Sequence, residues 1–132
     1  MSGKWRDVLV YWLPPLLWMA LIFTLSAQPD LPHAPGPWFD TLIKKSAHAV
    51  AFGTLTWLYL RLGRRYRLDR GWALWGSAGL AFLYAVSDEF HQTFVPGRSG
   101  RLMDVAIDIL GILIAIGLWR WLARRRSPAP HR

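Results

Sequence analysis

The chain has 132 residues, 53% of them hydrophobic, with nine Trp and a formal net charge of +8. This apolar share is more than an ordinary single domain of that length buries, so the surplus is expected to face a membrane. The absence of cysteine excludes disulfides, thiolate catalysis and cysteine-ligated zinc. The basic residues are grouped between apolar stretches, which favours a lipid bilayer as partner and argues against nucleic acid.

The first predicted element is a transmembrane helix over residues 8–26. A run of about nineteen apolar residues is long enough to cross the hydrocarbon core of a bilayer. Pro14 and Pro15 lie inside it and are expected to kink it. A cleaved signal peptide is the alternative, but the paired prolines, the bulky tryptophans and the lack of an Ala-x-Ala site favour retention.

Three further apolar segments predict three more spanning helices. They cover about residues 46–62, 72–94 and 104–122, and the proline-rich residues 28–39 read as an irregular loop. Nothing breaks a helix between Trp72 and Pro96, so the third helix is expected to continue through the acidic pair Asp88 and Glu89. Residues 127–132 are expected to form a disordered basic tail.

The distribution of Lys and Arg predicts the topology. Twelve of the sixteen lie at the N-terminus, between the second and third helices, or at the C-terminal end. By the positive-inside rule these regions face the cytoplasm. The predicted fold is therefore an all-α, four-helix transmembrane bundle with both termini cytoplasmic.

Polar side chains interrupt the apolar pattern at the end of the bundle that this topology turns outward. They are Lys44, Lys45, His48, Asp88, Glu89, His91, Gln92, Arg98, Arg101, Asp104 and Asp108. Spacings of three or four residues align most of them as stripes on the second, third and fourth helices, and the stripes are expected to converge on one pocket. Ionisable groups at this depth are costly unless paired or hydrated, so a functional site is the default hypothesis. The alternative is an ion-pair network in which Arg98 and Arg101 join Asp104 and Asp88 to fix the loop.

The fourth helix carries a second pattern on the same face as Asp104 and Asp108. Gly111 and Ala115 form a small-xxx-small pair. Such pairs let helix backbones approach closely in membranes. This face is therefore predicted to pack against a neighbouring helix and to carry the carboxylates inward.

The residue types limit the chemistry of the pocket. His48 with Glu89 or Asp88 can act as a general acid and base, and these three are the predicted catalytic residues. The predicted substrate-binding residues are Lys45, Gln92, Arg98, Arg101, Asp104 and Asp108. Positive charges and guanidinium donors suit a phosphate or carboxylate. A lipid phosphate is therefore a substrate that suits both the predicted catalytic residues and the predicted substrate-binding residues. Metal binding by His48, His91 and the acids is the weaker alternative, because no HExxH or similar spacing occurs, and no metal or other cofactor is expected.

These motifs resemble the VanZ-like family of small bacterial membrane proteins. The matching segments are KSAH at 45–48, DEFHQTFVPGR at 88–98 and DVAIDILG at 104–111. The resemblance implies a four-pass domain over residues 1–126 and, as for the founding member, an accessory role in resistance to teicoplanin, a glycopeptide that binds cell-wall precursors. Asp108 stands where the family commonly has Asn, and Phe52 where it often has Tyr.

The leading hypothesis is an enzyme or binder in the bacterial cytoplasmic (inner) membrane, with its site facing the extracytoplasmic side. Its substrate would be an amphiphilic anionic cell-envelope molecule, either a lipid-linked wall precursor or a phospholipid. The alternative is a non-catalytic scaffold that binds lipid, antibiotic or a partner membrane protein. Transport ranks last, because the cytoplasmic halves of the helices offer no matching acids or histidines.

Overall fold

The structure, a computed structural model, describes residues 3–29, 33–98 and 100–126. Within these ranges the chain forms four helices and no strand, which confirms the all-α prediction. The helices are α1 (Gly3–Ser26), α2 (Pro37–Arg65), α3 (Arg70–Gln92) and α4 (Leu102–Arg126). By length and composition α1 and α4 can cross a membrane, with mean hydropathy of 2.0 and 2.2. Four crossings remain a prediction.

The hydrogen-bond pattern of α1 changes just before its two prolines. Residues Val8–Trp12 form a turn of π-helix, in which the Leu13 N–H donates to the Val8 carbonyl. Pro14 and Pro15 have no N–H, so the carbonyls one turn earlier lose their α-helical donors and the wider pattern accommodates them. The disturbance predicted at the prolines is therefore a π turn, and the helix continues to Ser26.

Helix α2 begins at Pro37, well before the predicted start near residue 46. Proline is favoured in the first turn of a helix, where its missing N–H would have no intrahelical partner. Gly36 precedes it with φ of 85°, a conformation that glycine adopts without strain. The end of the predicted loop is therefore helical, and α2 is long enough, at ~44 Å, to extend beyond the hydrocarbon core.

The acidic pair lies inside α3, as the sequence predicted. Asp69 caps this helix by accepting a hydrogen bond from the Gly71 N–H at 2.9 Å, and the helix ends at Gln92, two residues before the expected limit of 94. Helix α4 continues to Arg126, past the expected end at 122. The predicted disordered tail, residues 127–132, lies outside the described residues.

Helices α2 and α4 make the most extensive helix–helix contact in the bundle. A Cβ atom on Gly53 would lie 3.0 Å from the carbonyl oxygen of Gly111, and a Cβ on Gly111 would collide with the backbone of Ala49. Gly111 and Ala115 are both buried. The prediction that the small-residue face of α4 packs against a neighbouring helix is confirmed, and that neighbour is α2.

The buried apolar core is small compared with the apolar surface that remains exposed. Its members are Ile22, Phe52, Leu55, Ala81, Ala85 and Ile112. Around it, large side chains such as Leu17, Leu83 and Ile114 are more than half exposed. An apolar surface of this extent is unusual for a protein surrounded by water and is suited to hydrocarbon. Trp38 and Trp72, at the first turns of α2 and α3, are the kind of residue enriched at membrane–water interfaces.

The end of the bundle that contains the α2–α3 loop is rich in arginine. Arg65 forms an ion pair with Asp7 of α1 at 2.7 Å. The guanidinium groups of Arg61 and Arg65 lie over the ring of Tyr11, at 5.1 and 5.7 Å from its centroid. This end of the molecule is opposite the acidic residues of α3, so the two ends of the bundle differ in charge.

Candidate functional site

A cavity of about 470 Å³ opens where α2 begins and α3 ends. Its polar lining includes Asp40, Lys44, Lys45, His48, Asp88, Gln92, Arg98, Arg101 and Asp104. Ile22 and Leu25 of α1 and Phe52 of α2 contribute apolar wall. Seven of the nine sequence-predicted site residues line this cavity, and the other two, Glu89 and Asp108, lie behind its wall.

His48 links α2 to both α4 and α3. Its Nδ1 atom is 3.1 Å from Oδ1 of Asp108 and 4.0 Å from Oε1 of Glu89. Asp108 is fully buried, because the close approach of α2 and α4 at Gly111, one turn along, leaves no room for solvent. Asp108 therefore contacts the imidazole and does not reach the cavity, although the sequence grouped it with the substrate-binding residues.

The acidic pair is held by two hydrogen-bond donors. The side-chain amide of Gln92 lies 3.0 Å from Oδ2 of Asp88 and 3.4 Å from Oε1 of Glu89, as the helical spacing predicted. The backbone N–H of Arg101 donates to Oε2 of Glu89 at 3.0 Å. Asp88 and Glu89 are only 4% and 6% exposed, so these donors satisfy carboxylate oxygens that have little access to water.

Gly100 makes the contact between Arg101 and Glu89 possible. A Cβ atom at this position would collide with the carbonyl oxygen of Glu89 and lie 2.9 Å from Cγ2 of Thr93. The loop can therefore cross the end of α3 closely only because residue 100 has no side chain. Sequence reasoning assigned Arg101 to anion binding through its guanidinium and missed this role of its backbone.

Asp40 and His33, outside the predicted site, form part of its outer rim. Oδ2 of Asp40 is 2.7 Å from Nζ of Lys44 and 3.4 Å from Nδ1 of His33, while Oδ1 accepts the Ala34 N–H at 2.9 Å. The hydrogen bond from Lys44, helped by that from Ala34, lowers the pKa of Asp40 to about 2. The i,i+4 spacing of Asp40 and Lys44 is the sequence signal that would have included Asp40.

His91 and Arg98 do not make the contacts that the alternative interpretations of the sequence required. The ring of His91 stacks on Phe23 of α1, with centroids 4.5 Å apart, so it does not join His48 as the metal alternative required. Among the ion pairs of the described residues, none joins Arg98 to a carboxylate, so the structure does not show the Arg98 part of the loop-fixing network. Arg98 instead lines the cavity.

Helix α1 closes one side of the cavity, and two of the hydrogen bonds that hold it join backbone and side chains near this wall. Nε1 of Trp18 donates to the carbonyl oxygen of Ala51 at 2.9 Å. The hydroxyl of Tyr84 donates to the carbonyl oxygen of Met19 at 2.7 Å. These bonds connect α1 to α2 and α3 just below the polar residues. Sequence reasoning missed Trp18 because its indole was interpreted only as apolar bulk.

One part of the site has the composition of a cation-binding site. His48, Asp88 and Glu89 each offer one ligand atom, and these atoms all lie within 4.8 Å of one another. They come from two helices, so no short sequence motif brings them together. A nitrogen and two carboxylate oxygens form a donor set that divalent first-row metals accept.

The fold and the site together define a class: a small helical membrane protein with a buried acid–histidine cluster beside a cavity lined by basic residues. The model of the VanZ/LLP1 family matches residues 10–123, and the chain belongs to that family. The match reaches from α1 to α4 and includes every predicted site residue, which confirms the resemblance seen in the sequence. No curated protein and no solved structure matches the chain at a significant level.

Proposed function

We propose that the cavity binds the anionic headgroup of an amphiphilic cell-envelope lipid, either a lipid-linked wall precursor or a phospholipid. The observation that carries this proposal is the combination of basic and apolar residues in the lining of the cavity. Lys45, Arg98 and Arg101 supply positive charge, and Ile22 and Leu25 of α1 supply apolar wall. An amphiphile presents the complementary pair of surfaces, an anionic group joined to a hydrocarbon chain.

The size and position of the cavity support this occupant. Ligand pockets are typically about 300–1,000 Å³, and this one is about 470 Å³. It lies at the end of the bundle that the positive-inside rule turns away from the cytoplasm, close to Trp38. A headgroup in the outer leaflet of the cytoplasmic membrane would lie at this level.

Family membership connects the proposal to antibiotic resistance. The founding member's role is expected to concern teicoplanin, which binds cell-wall precursors. A protein that binds lipid-linked precursors at the outer face of the membrane would change how many of them the antibiotic meets. We therefore expect altered glycopeptide susceptibility wherever the bacterium carrying this chain is exposed to such drugs.

A catalytic form of the same function is the second candidate. Asp108 holds the imidazole of His48 at 3.1 Å, and Glu89 is 4.0 Å from the same ring nitrogen. A histidine oriented by a carboxylate is a common general base, and a second carboxyl group can act as the acid. The non-catalytic alternative, a scaffold for lipid, antibiotic or a partner membrane protein, needs the cavity but neither proton-transfer group.

The test is the lipid content of the purified protein. Wild type, Arg98→Ala and Arg64→Ala would be isolated in mild detergent, and the retained lipids measured by mass spectrometry. Loss of one charge-assisted hydrogen bond, worth about 1.5–3 kcal/mol, should lower the retained anionic lipid about tenfold or more in Arg98→Ala. Arg64→Ala, at the opposite end, should retain the wild-type amount. Equal lipid in all three proteins would contradict the proposal.

Antibiotic susceptibility separates the two forms of the function. If His48→Gln and Glu89→Gln leave susceptibility unchanged while Arg98→Ala changes it, binding is supported and acid–base catalysis is excluded. If all three change it to the same extent and His48→Gln still retains lipid, the catalytic form is favoured.

A further inference from the structure

We propose that His48, Asp88 and Glu89 bind a divalent transition-metal ion, Zn²⁺ or Mn²⁺, at the base of the cavity. Their three ligand atoms lie within 4.8 Å of one another. Ligand atoms around a tetrahedral ion at about 2.1 Å are ~3.4 Å apart. Small side-chain rotations would therefore bring these atoms to metal-binding distance.

The charge balance of this region favours a cation. Three carboxyl groups, those of Asp88, Glu89 and Asp108, are buried around a single imidazole. The ion pairs found for them among the described residues both involve His48. Buried carboxyl groups that stay ionised must be paired or coordinate a metal, and one imidazolium cannot balance three carboxylates. A divalent ion would allow these carboxyl groups to stay ionised together.

Asp108 gives a second and independent indication. Its side chain is fully buried, and within the described ranges its Oδ2 atom has no hydrogen-bond partner. The other oxygen of the same carboxyl group contacts Nδ1 of His48, so the unpaired oxygen belongs to the same cluster. Buried polar atoms are nearly always satisfied in native proteins, so this exception calls for an explanation, and an ion bound at the cluster would supply one.

The surroundings of the three ligands resemble the outer shell of a metal site. Gln92 holds one oxygen each of Asp88 and Glu89, and the Arg101 N–H holds the other oxygen of Glu89. Such donors fix the orientation of ligating carboxylates. The donor set has one nitrogen, carboxylate oxygens and no sulfur, which suits Zn²⁺ and Mn²⁺ better than Cu⁺.

The ion gives the proposed function a more specific chemistry. Beside Lys45 and Arg98, it would present a concentrated positive charge to the phosphate oxygens of a lipid headgroup, and this step rests on the proposed function. His48 and Glu89 would then hold the ion, in place of the acid–base roles of the catalytic candidate. The metal site itself rests only on the cluster.

The proposal is tested by measuring metal on the tag-free protein in detergent. Protein stripped of metal with a chelator would be dialysed against micromolar Zn²⁺ or Mn²⁺. Its metal content would then be measured by inductively coupled plasma mass spectrometry. We expect about one ion per chain in wild type. His48→Ala and Asp88→Asn should bind at least tenfold more weakly. Asp69→Asn, which changes a carboxyl group at the opposite end of the bundle, should bind as wild type does.

Folding and lipid content are measured on the same samples. Asp88→Asn and Glu89→Gln keep the shape of their side chains, so they report on the site even if His48→Ala fails to fold. Added ion should raise the Tm of wild type and leave that of Asp88→Asn unchanged. Wild type without bound ion, or undiminished binding in Asp88→Asn and Glu89→Gln, would overturn the metal site. Anionic lipid retained without an ion would overturn this inference alone, whereas an ion bound without anionic lipid would overturn the proposed function alone.

Discussion

His48 and Asp108 are sixty positions apart in the chain, yet Nδ1 of one lies 3.1 Å from Oδ1 of the other. The contact joins α2 to α4 at the most buried point of the polar cluster. Removing His48 leaves Asp108 fully buried without its counterpart, whereas removing both side chains leaves an apolar contact. The pair is therefore expected to show strong coupling in stability.

The first prediction is a double-mutant cycle on this pair. His48→Leu and Asp108→Leu should each lower the free energy of unfolding in detergent by about 2 kcal/mol or more, and the double variant should lose less than the sum, by about 1–2 kcal/mol. The double variant should nevertheless lose its bound anionic lipid or ion. Strictly additive losses would show that the two side chains do not interact.

The second prediction concerns the close approach of α2 and α4. Gly111→Ala should destabilise the protein by about 1–3 kcal/mol, because the new methyl group collides with the backbone of Ala49 and the helices must separate. Gly117→Ala on the same helix is the control, since nothing lies within 4 Å of a Cβ there. The control should be neutral or slightly stabilising. Thermal unfolding in detergent measures both, and equal stability of the two variants would contradict the helix contact.

The third prediction separates the backbone of Arg101 from its side chain. Gly100→Ala should push the loop away from α3 and break the hydrogen bond between the Arg101 N–H and Glu89. Losing a bond worth about 1 kcal/mol should speed amide hydrogen exchange at Arg101 several-fold. Mass-spectrometric exchange of the loop peptide is the measurement, with Gly76→Ala in α3 as the unhindered control. Unchanged exchange in Gly100→Ala would show that the loop tolerates a side chain.

The fourth prediction concerns pH and Asp40, which lies in the first turn of α2 ahead of the predicted span. Its pKa is lowered from 3.8 to about 2 by Lys44 and the Ala34 N–H, so the folded state binds its proton more weakly than the unfolded state does. The stabilisation is therefore present above about pH 4 and is lost as the pH falls towards 2. A carboxyl-carbon NMR titration should give the low midpoint in wild type, a value closer to 3.8 in Lys44→Met, and no change in Lys45→Met. An equal midpoint in wild type and Lys44→Met would exclude Lys44 as the cause.

The fifth prediction tests the orientation of the site. The chain has no cysteine, so single cysteines can be introduced without removing any. In right-side-out vesicles, an impermeant maleimide should label Thr41→Cys at the cavity end, and should label Leu68→Cys in the α2–α3 loop only after lysis. The reverse pattern would place the cavity in the cytoplasm and exclude a wall precursor in the outer leaflet as its occupant.

The features that the sequence predicted most accurately are those that depend on a single helix. The absence of any breaker indicated that α3 continues through Asp88 and Glu89, and the Gly111–Ala115 spacing identified the packing face of α4. It failed at the start of α2, where proline marks a helical first turn although it was interpreted as loop. Propensity alone cannot distinguish these two uses of proline.

Contacts between helices were harder to predict from the sequence. Stripes of polar residues show which faces meet, but not the relative height of two helices. The burial of Asp108 behind His48 follows from how closely the backbones approach at Gly53, which is a property of both helices together. In the same way, the stacking of His91 on Phe23 depends on where α1 packs.

The contact of backbones at Ala49, Gly53 and Gly111 also limits how this protein can diversify. Larger side chains at Gly53 or Gly111 would push α2 and α4 apart, so the frame that holds His48 against Asp108 can widen only at a cost in stability. Variants with a changed preference for headgroup or drug are therefore expected to arise on the α1 wall and at Lys45 and Arg98. In a selection for resistance, mutations should accumulate at the mouth of the cavity and spare its base.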